Sequence, residues 1–417
     1  MNLRNDAMKR RTFLKKSTLA LASFAIAPSI MKDSRKGNLL LRSGDIQVIV
    51  LEGTPLKRGQ IHGEILRSKI NEAVKLWKEE LFKALDSDPD KYIDEFVENT
   101  HFTKSIKKWS PNLLEEVKGI SDGSGLDFKT LYAFQLADEE WWYRRNKKLG
   151  IVLSENKNCS ALGVFGQEGF PPLLAQNMDI PKWTNGFQVL FHIKHQHSNL
   201  ESFVFSYAGM IALNGLNSKS IGVCVNTLLQ LNQRLDGMPV AFIIRGILEQ
   251  ERFNDALRFV NTVKHASGQN YTIGGPEEII AFECSANKVS RFIPYKSATR
   301  VYHTNHPLVN DDQDIYKEVI KKMPPDAVKK SLHNTKTRFE SLEKRLKDPS
   351  KKITVETIKS TLSSHDDPQN PICYDLRKDR SGFTAGSMIY ELSDSPVLHL
   401  APGPPCSTEY KIYRFKN

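Results

Sequence analysis

Asn158-Cys159-Ser160-Ala161, followed by Ala175-Gln176-Asn177-Met178-Asp179, is the stretch on which the reading of this chain turns. The cysteine heads an apolar run (Ala161, Leu162, Val164, Phe165). A Gly/Pro-rich turn follows, and a second run, Pro172-Leu173-Leu174-Ala175, closes on Asn-x-Asp. Two apolar runs joined by such a turn read as a hairpin. A thiol at the head of one strand facing a carboxylate at the end of the other is one way to build a nucleophile site. Taken alone, a cysteine in an apolar run is more often a small buried hydrophobe. If the Asn158–Cys159 bond is cut, the cysteine gains a free α-amine and carries its own base.

Around this stretch, 417 residues with 40% hydrophobic content suffice for a large core. The net charge of +11 hints at nucleic acid, but residues 1–32 hold seven Lys/Arg against one acid and so supply +6 of it. The remaining excess is that of an ordinary solvated surface, and no zinc-knuckle, RNP-like or helix-turn-helix pattern supports nucleic-acid binding. Residues 1–32 read as an export signal: Arg10-Arg11-Thr12-Phe13-Leu14-Lys15 resembles the twin-arginine consensus, and the apolar run Thr18–Ala27 is too short to span a bilayer. No cysteine near its end offers a lipid anchor, so the expected product is exported to the periplasm or medium without a stable membrane anchor. The five cysteines (Cys159, Cys224, Cys284, Cys373, Cys406) lack metal-type spacing. Cys224 and Cys284 read as core residues, Cys373 and Cys406 as a candidate pair, and Cys159 as the functional free thiol.

Past the signal, residues 33–158 read as mainly helical after a short strand at Ile46–Leu51. Gly59–Glu64 opens an amphipathic helix with Ile65, Ile70, Ala73 and Leu76 on one face. Leu113–Gly119 and Leu131–Trp142 read as helices flanking a glycine-rich turn, Asp122–Gly125. Residues 159–417 read as strands, with helices at Val240–Glu249 and Asp255–Val263 and a solvated, Lys- and Asp-rich helical excursion at about 309–352. Strand and helix runs that are segregated favour antiparallel sheets layered against helices over alternating βαβ units.

The order of short blocks then carries a resemblance. Arg58-Gly59-x-x-His62-Gly63, Glu116-x-x-Gly119-Ile120-Ser121-x-Gly123-x-Gly125, Asn158-Cys159-Ser160 and Gln176-Asn177-x-Asp179 come first. Gly215-Leu216-Asn217, Ile221-Gly222-Val223-x-Val225-Asn226, His303-Thr304-Asn305-His306, Ser364-His365-Asp366 and Pro402-Gly403-Pro404-Pro405-Cys406 complete the series. Over roughly residues 45–415 the chain is similar to the isopenicillin-N (acyl-coenzyme A:aminopenicillanate) acyltransferases and their bacterial relatives. The bile-salt-hydrolase and acid-ceramidase group resembles it more distantly.

The resemblance implies an α+β N-terminal-nucleophile (Ntn) hydrolase: a four-layer αββα sandwich of two antiparallel sheets between helices. It implies self-cleavage between Asn158 and Cys159, with the two fragments staying associated. Asn158 departs from the glycine more common there, which bears on the speed of maturation more than on its chemistry. Cys159 is then the nucleophile and Asp179 holds the α-amine or the substrate's polar end. Asn226 supplies an oxyanion-hole N–H, and Arg380, with Arg377 competing, clamps a substrate carboxylate. Asn177 reads as a structural residue of its own turn. His303, His306 and His365 read as hydrogen-bonded structural residues, since their separations fit no common zinc motif. No metal or other cofactor is implied. The expected activity is an exported amidohydrolase or acyltransferase that takes an acyl group from a small N-acyl substrate through a Cys159 thioester. A coenzyme A thioester serves as donor only where such compounds reach the enzyme, so hydrolysis of N-acyl compounds leads. Two other readings stay open: a secreted binding protein that keeps the fold without processing, and a papain-like Cys/His hydrolase that needs no cut.

Overall fold

The first described strand already shows the half-buried alternation its sequence asks for: in β1 (Gln47–Leu51), Ile49 and Leu51 are buried while Val48 and Val50 are exposed. The computed structural model describes residues 45–147, 158–167, 169–196, 198–293 and 299–416; the expected signal, residues 1–32, lies outside them. Helices α1 (Pro55–Ile65), α2 (Arg67–Leu85), α3 (Pro89–Glu98), α4 (Phe102–Trp109), α5 (Pro111–Ser124), α6 (Phe128–Phe134) and α7 (Ala137–Lys147) follow. Thr54, Asp88 and Asp127 cap three of them through side-chain oxygens, each cap contributing about 1 kcal/mol. In α2 the buried stripe is Ile70, Ala73, Val74, Trp77 and Leu81. Ile65, expected on that face, is exposed because α1 ends on it and the chain turns at Leu66.

The glycine-rich segment 122–125 is not the turn it resembles. Helix α5 runs through Gly123, and only Gly125, in the left-handed region at φ 79°, ends it. The reason is the crossing with α1. A Cβ on Gly59 would lie 1.9 Å from the Glu116 carbonyl oxygen, and one on Gly123 would lie 2.6 Å from that of Gln60. The glycines of the first two sequence blocks therefore let two helix backbones touch.

The strands form two sheets. One has eight strands in the order β1, β4 (Gln188–Lys194), β5 (Glu201–Tyr207), β6 (Asn214–Asn217), β7 (Gly222–Thr227), β8 (Gln269–Gly274), β9 (Ile279–Cys284) and β10 (Val289–Phe292). The other has six: β11 (Arg300–His303), β2 (Ser160–Val164), β3 (Leu173–Pro181), β12 (Gly382–Glu391), β13 (Val397–Ala401) and β14 (Lys411–Arg414). The pairings between these strands are antiparallel as expected except one. β1 pairs parallel with β4, from Gln47↔Val189 to Leu51↔Ile193, so the segment before Cys159 donates an edge strand to a sheet built by the segment after it.

The sheets face each other. A Cβ on Gly386 of the second sheet would meet the Phe205 ring of the first at 2.4 Å. Outside the first sheet lie α1 and α8 (Val240–Leu248), the last buried on every side; α2 packs on α1 and α5, and α9 (Phe253–Thr262) on α8. After α10 (Asp314–Ile320), helices α11 (Pro325–Leu346) and α12 (Val355–Leu362) cover the second sheet. Leu342, Leu346, Ile358 and Leu362 join Leu162, Leu173, Ala175 and Ile389 in a separate buried cluster there. The result is the expected four-layer αββα, α+β architecture. The expected solvated excursion needs correction: α11 buries Thr335, Arg338, Leu342 and Leu346 against the sheet, and only its other faces are solvated. Among the described residues no helix is long and apolar enough to cross a membrane.

Candidate active site

The hairpin forms as expected: β2 and β3 pair from Ser160↔Asn177 to Val164↔Leu173. Cys159 stands one residue before β2 and is thereby held beside the end of β3. Its Sγ lies 3.6 Å from Met178 Sδ and 3.8 Å from the Asp179 main-chain oxygen. The thiol thus faces the main chain of Asp179.

Three groups anchor the cysteine and the aspartate. The Cys159 carbonyl accepts hydrogen bonds from Arg338 Nη1 at 2.7 Å and Asn226 Nδ2 at 3.1 Å. The same Asn226 nitrogen points its other hydrogen at the His303 carbonyl, 3.4 Å away, and Asn270 Nδ2 donates to Asn226 Oδ1 at 2.9 Å. An amide nitrogen has two hydrogens, so in the intact chain Asn226 grips the Cys159 backbone. Its strand neighbours Val225 and Thr227 line the cavity described below. Arg338, fully buried, also donates to Ser160 Oγ, Asn305 Oδ1 and Asn334 Oδ1 at 2.9–3.0 Å. Thr384 Oγ1 donates to Asp179 Oδ1 at 2.6 Å. Asp179 Oδ2 is buried with no hydrogen-bond partner among the described residues.

This environment sets the titration. Burial pushes the Asp179 carboxyl up to about 8, against the Thr384 hydrogen bond and the Arg338 charge. Burial, helped by the Asp179 charge, pushes the Cys159 thiol up to about 12, against the Asp179 main-chain contact and Arg338. At neutral pH the intact chain therefore holds a neutral thiol beside a mostly protonated acid.

Cys159 and Asp179 both line a cavity of about 590 Å³ whose walls include Trp77, Leu81, Trp141, Met178, Ile180, Trp183 and Met210. Asp138, Glu140, Arg144, Lys182 and Thr227 are among its polar positions. Asp138 accepts from Thr227 Oγ1 and Gln269 Nε2, while Glu140 accepts from Tyr92 Oη and Arg144 Nε. Gln176 binds the sheets together beside the site, its Oε1 accepting from Val225 N and Asn214 Nδ2. Asn177 is structural in another way than expected: it donates to the Leu362 and Ile372 carbonyls, far from its own turn.

The remaining expected residues lie elsewhere. Arg380 stacks over Tyr374, donates to the Pro368 carbonyl and pairs with Asp375 at 3.2 Å; it is not among the residues lining the cavity. Arg377 bonds to the same Asp375 and to Pro368. The ring nitrogens of His303 face the Thr304 carbonyl and the Glu283 carboxylate, and His306 Nδ1 faces Thr335 Oγ1. Among the described residues no histidine shares a hydrogen bond with Cys159. His365, expected to be a hydrogen-bonded structural residue, is exposed and stands beside Cys373 and Cys406. Those two cysteines are both free. Arg338 is the residue the sequence reading missed. Its signal was present: it falls on the Thr335–Phe339–Leu342–Leu346 stripe of a Lys-rich helix, where a solvated arginine has no place.

Residues 165–396, more than half of the chain, match the family model of acyl-coenzyme A:6-aminopenicillanic acid acyl-transferase. The chain belongs to this family. The part matched to the acyl-transferase model takes in Asp179, Asn226, Arg338 and Thr384 and starts six residues after Cys159. Two curated proteins of Dictyostelium discoideum are similar: protein dcd1A, 25% identical over 246 residues (53% of this chain, 54% of the relative), and protein dcd1B, 24% identical over 234 residues (50% and 44%). The chain spans about half the length of these curated relatives. Solved structures with some likeness include a Caenorhabditis elegans N-acylethanolamine-hydrolyzing acid amidase ortholog, 12% identical with TM-score 0.39, covering 62% of this chain and 100% of that one. Penicillin V acylase from Agrobacterium tumefaciens is 9% identical with TM-score 0.37, covering 62% and 86%. A mutant conjugated bile acid hydrolase from Clostridium perfringens is 11% identical with TM-score 0.35, covering 61% and 97%.

Proposed function

We propose that the protein is an exported, self-processing Ntn amidohydrolase or acyltransferase with Cys159 as nucleophile and a lipophilic N-acyl compound as substrate. The observation that carries this reading is that Cys159 and Asp179 line one largely apolar cavity, with one buried Asp179 oxygen unpartnered among the described residues. In the maturation step Cys159 Sγ adds to the Asn158 carbonyl carbon and the C–N bond breaks. The acyl group moves to sulfur and the α-amine leaves. Water then hydrolyses the thioester, giving an Asn158 carboxylate and Cys159 with a free thiol and amine. An α-amine of ordinary pKa about 7.7–8.0 exchanges protons near neutral pH and serves as base for its own thiol. Its ammonium form gives Asp179 Oδ2 a partner, where the described residues of the intact chain offer none.

In turnover the thiol attacks the substrate carbonyl with the acyl group among Trp77, Trp141, Met178 and Trp183. The amine leaves, and water or an acceptor amine takes the acyl group from sulfur. Asn226 and Arg338 act as positioning residues through the Cys159 backbone; the oxyanion role proposed for Asn226 requires that one of its two hydrogens be released after the cut. The β1–β4 pairing supports the two fragments remaining together.

Intact mass of the purified protein tests the first step. Two fragments, the second of 259 residues beginning at Cys159, are expected, and a single chain from Cys159→Ala. An unsplit wild-type chain identical in behaviour to that variant returns the protein to the binding-protein reading. Turnover by an unsplit chain selects the papain-like reading instead. Release of amine from N-acyl amines and N-acyl amino acids of increasing chain length tests the second step; a rate indifferent to acyl length rules out the cavity as the acyl site.

A further inference from the structure

Beside the strand that carries Asp179, three metal-ligating side chains from two loops converge. His365, Cys373 and Cys406 offer one donor atom each, all within 4.8 Å of one another. No sequence motif joins all three: His365 and Cys373 stand eight residues apart in the loop between α12 and β12, and Cys406 follows β13. Each loop is fastened close to its donor. Arg345 forms a two-pronged ion pair with Asp366, next to His365, at 2.6 and 2.7 Å. Cys373 N donates to the Ser364 carbonyl at 3.2 Å, and Ser363 Oγ donates to the Pro405 carbonyl at 3.1 Å. The backbone thus already ties the segment of each donor to that of another.

We propose that His365, Cys373 and Cys406 form a binding site for a thiophilic d10 metal ion, zinc(II) in the first instance. Two thiolates and an imidazole are a donor set suited to zinc. Tetrahedral bonds of about 2.3 Å to sulfur and 2.0–2.1 Å to nitrogen place such donors about 3.5–3.8 Å apart. The cluster reaches that spacing by small side-chain movements. Cys373 is buried while His365 and Cys406 are exposed, so the ion enters from solvent and keeps its fourth position there. Binding releases the two thiol protons and fixes Cys373. That residue lies between two others that hold the active-site strand: the Ile372 carbonyl accepts from Asn177, and Tyr374 N donates to Thr384 Oγ1, which bonds Asp179. The site does not depend on the chemistry proposed at Cys159.

The test uses the full chain, reduced and stripped of metal with a chelator, titrated with cobalt(II). One equivalent is expected to give thiolate-to-cobalt charge transfer and intense tetrahedral d–d bands, to be displaced by zinc(II), and to raise the melting temperature. Loss of a mere outer partner of a metal ligand lowers affinity by about 10–100-fold, so Cys406→Ser and His365→Asn should each lose at least that much. Both replace exposed residues and keep the fold, which circular dichroism checks. Cys159→Ala should bind normally. Absence of saturable uptake by the reduced wild type, or uptake unchanged in both variants, overturns the proposal.

Discussion

Glu116 and Asp179 are equally buried, each 1% exposed, yet their surroundings drive them in opposite directions. Burial alone raises a carboxyl's pKa. At Glu116 two guanidinium groups reverse that: Arg245 donates through both Nη atoms at 2.6 and 3.0 Å and Arg58 through Nε at 3.0 Å, holding the acid at about 2. Among the described residues Asp179 has one hydroxyl donor and an oxygen without a partner, and it rises to about 8. The first carboxylate is saturated and joins α5 to α1 and α8. The second is under-supplied beside a thiol. Depth in the core therefore does not set the protonation of a buried acid; the number of donors does.

The comparison breaks hardest at the saturated acid. Arg245→Met leaves Glu116 with Arg58 alone and is expected to cost about 3–5 kcal/mol in urea unfolding, the usual consequence of removing one partner of a buried ion pair. Gly59→Ala attacks the same crossing sterically. With its Cβ 1.9 Å from a backbone oxygen, a loss of about 1–3 kcal/mol is expected, read as a lowered melting temperature.

The under-supplied acid is expected to respond in the opposite sense. Its folded-state pKa is raised, so between about 4 and 8 the folded chain binds more protons than the unfolded. Stability from this group accordingly falls as pH rises through that window and is level above it. In the unprocessed Cys159→Ala background, Asp179→Asn should remove that slope and stabilise the protein at pH above 8. Glu116 is depressed, and its contribution is lost only as pH falls from about 4.5 towards 2. Unfolding curves across pH distinguish the two; an unchanged slope in the Asp179→Asn variant contradicts the assignment. The smallest effect belongs to Arg380→Ala. Its ion pair with Asp375 should be worth about 1 kcal/mol or less, with KM unchanged, and a raised KM would restore it to the substrate site.

The layered fold was legible because its signals are local. Strand–turn–strand texture matched the β2–β3 hairpin, and the helices read at Val240–Glu249 and Asp255–Val263 are α8 and α9. The proximity of Cys159 and Asp179 followed from that same hairpin. What stayed hidden required partners distant in sequence. The α1–α5 crossing turns glycines that resemble a turn into helix contacts, and no local pattern states which backbone they must clear. Arg338 looked like one cation in a basic helix until its neighbours on the stripe were seen to be buried. Arg380 seemed suited to a substrate only because Asp375, Pro368 and Tyr374 had not been placed around it. Cys373 and Cys406, suggested as a pair, were readable only in part, since only the fold brings Cys406 to the loop that carries His365 and Cys373.

The grip on Cys159 also has a bearing on time. The Arg338 that holds its carbonyl lies 179 residues downstream, and the Thr384 that steadies Asp179 comes 205 residues after that aspartate. During synthesis the thiol and the bond before it leave the ribosome long before either residue exists. This centre therefore cannot assemble on a half-made chain, and any chemistry that requires it waits until translation is nearly finished.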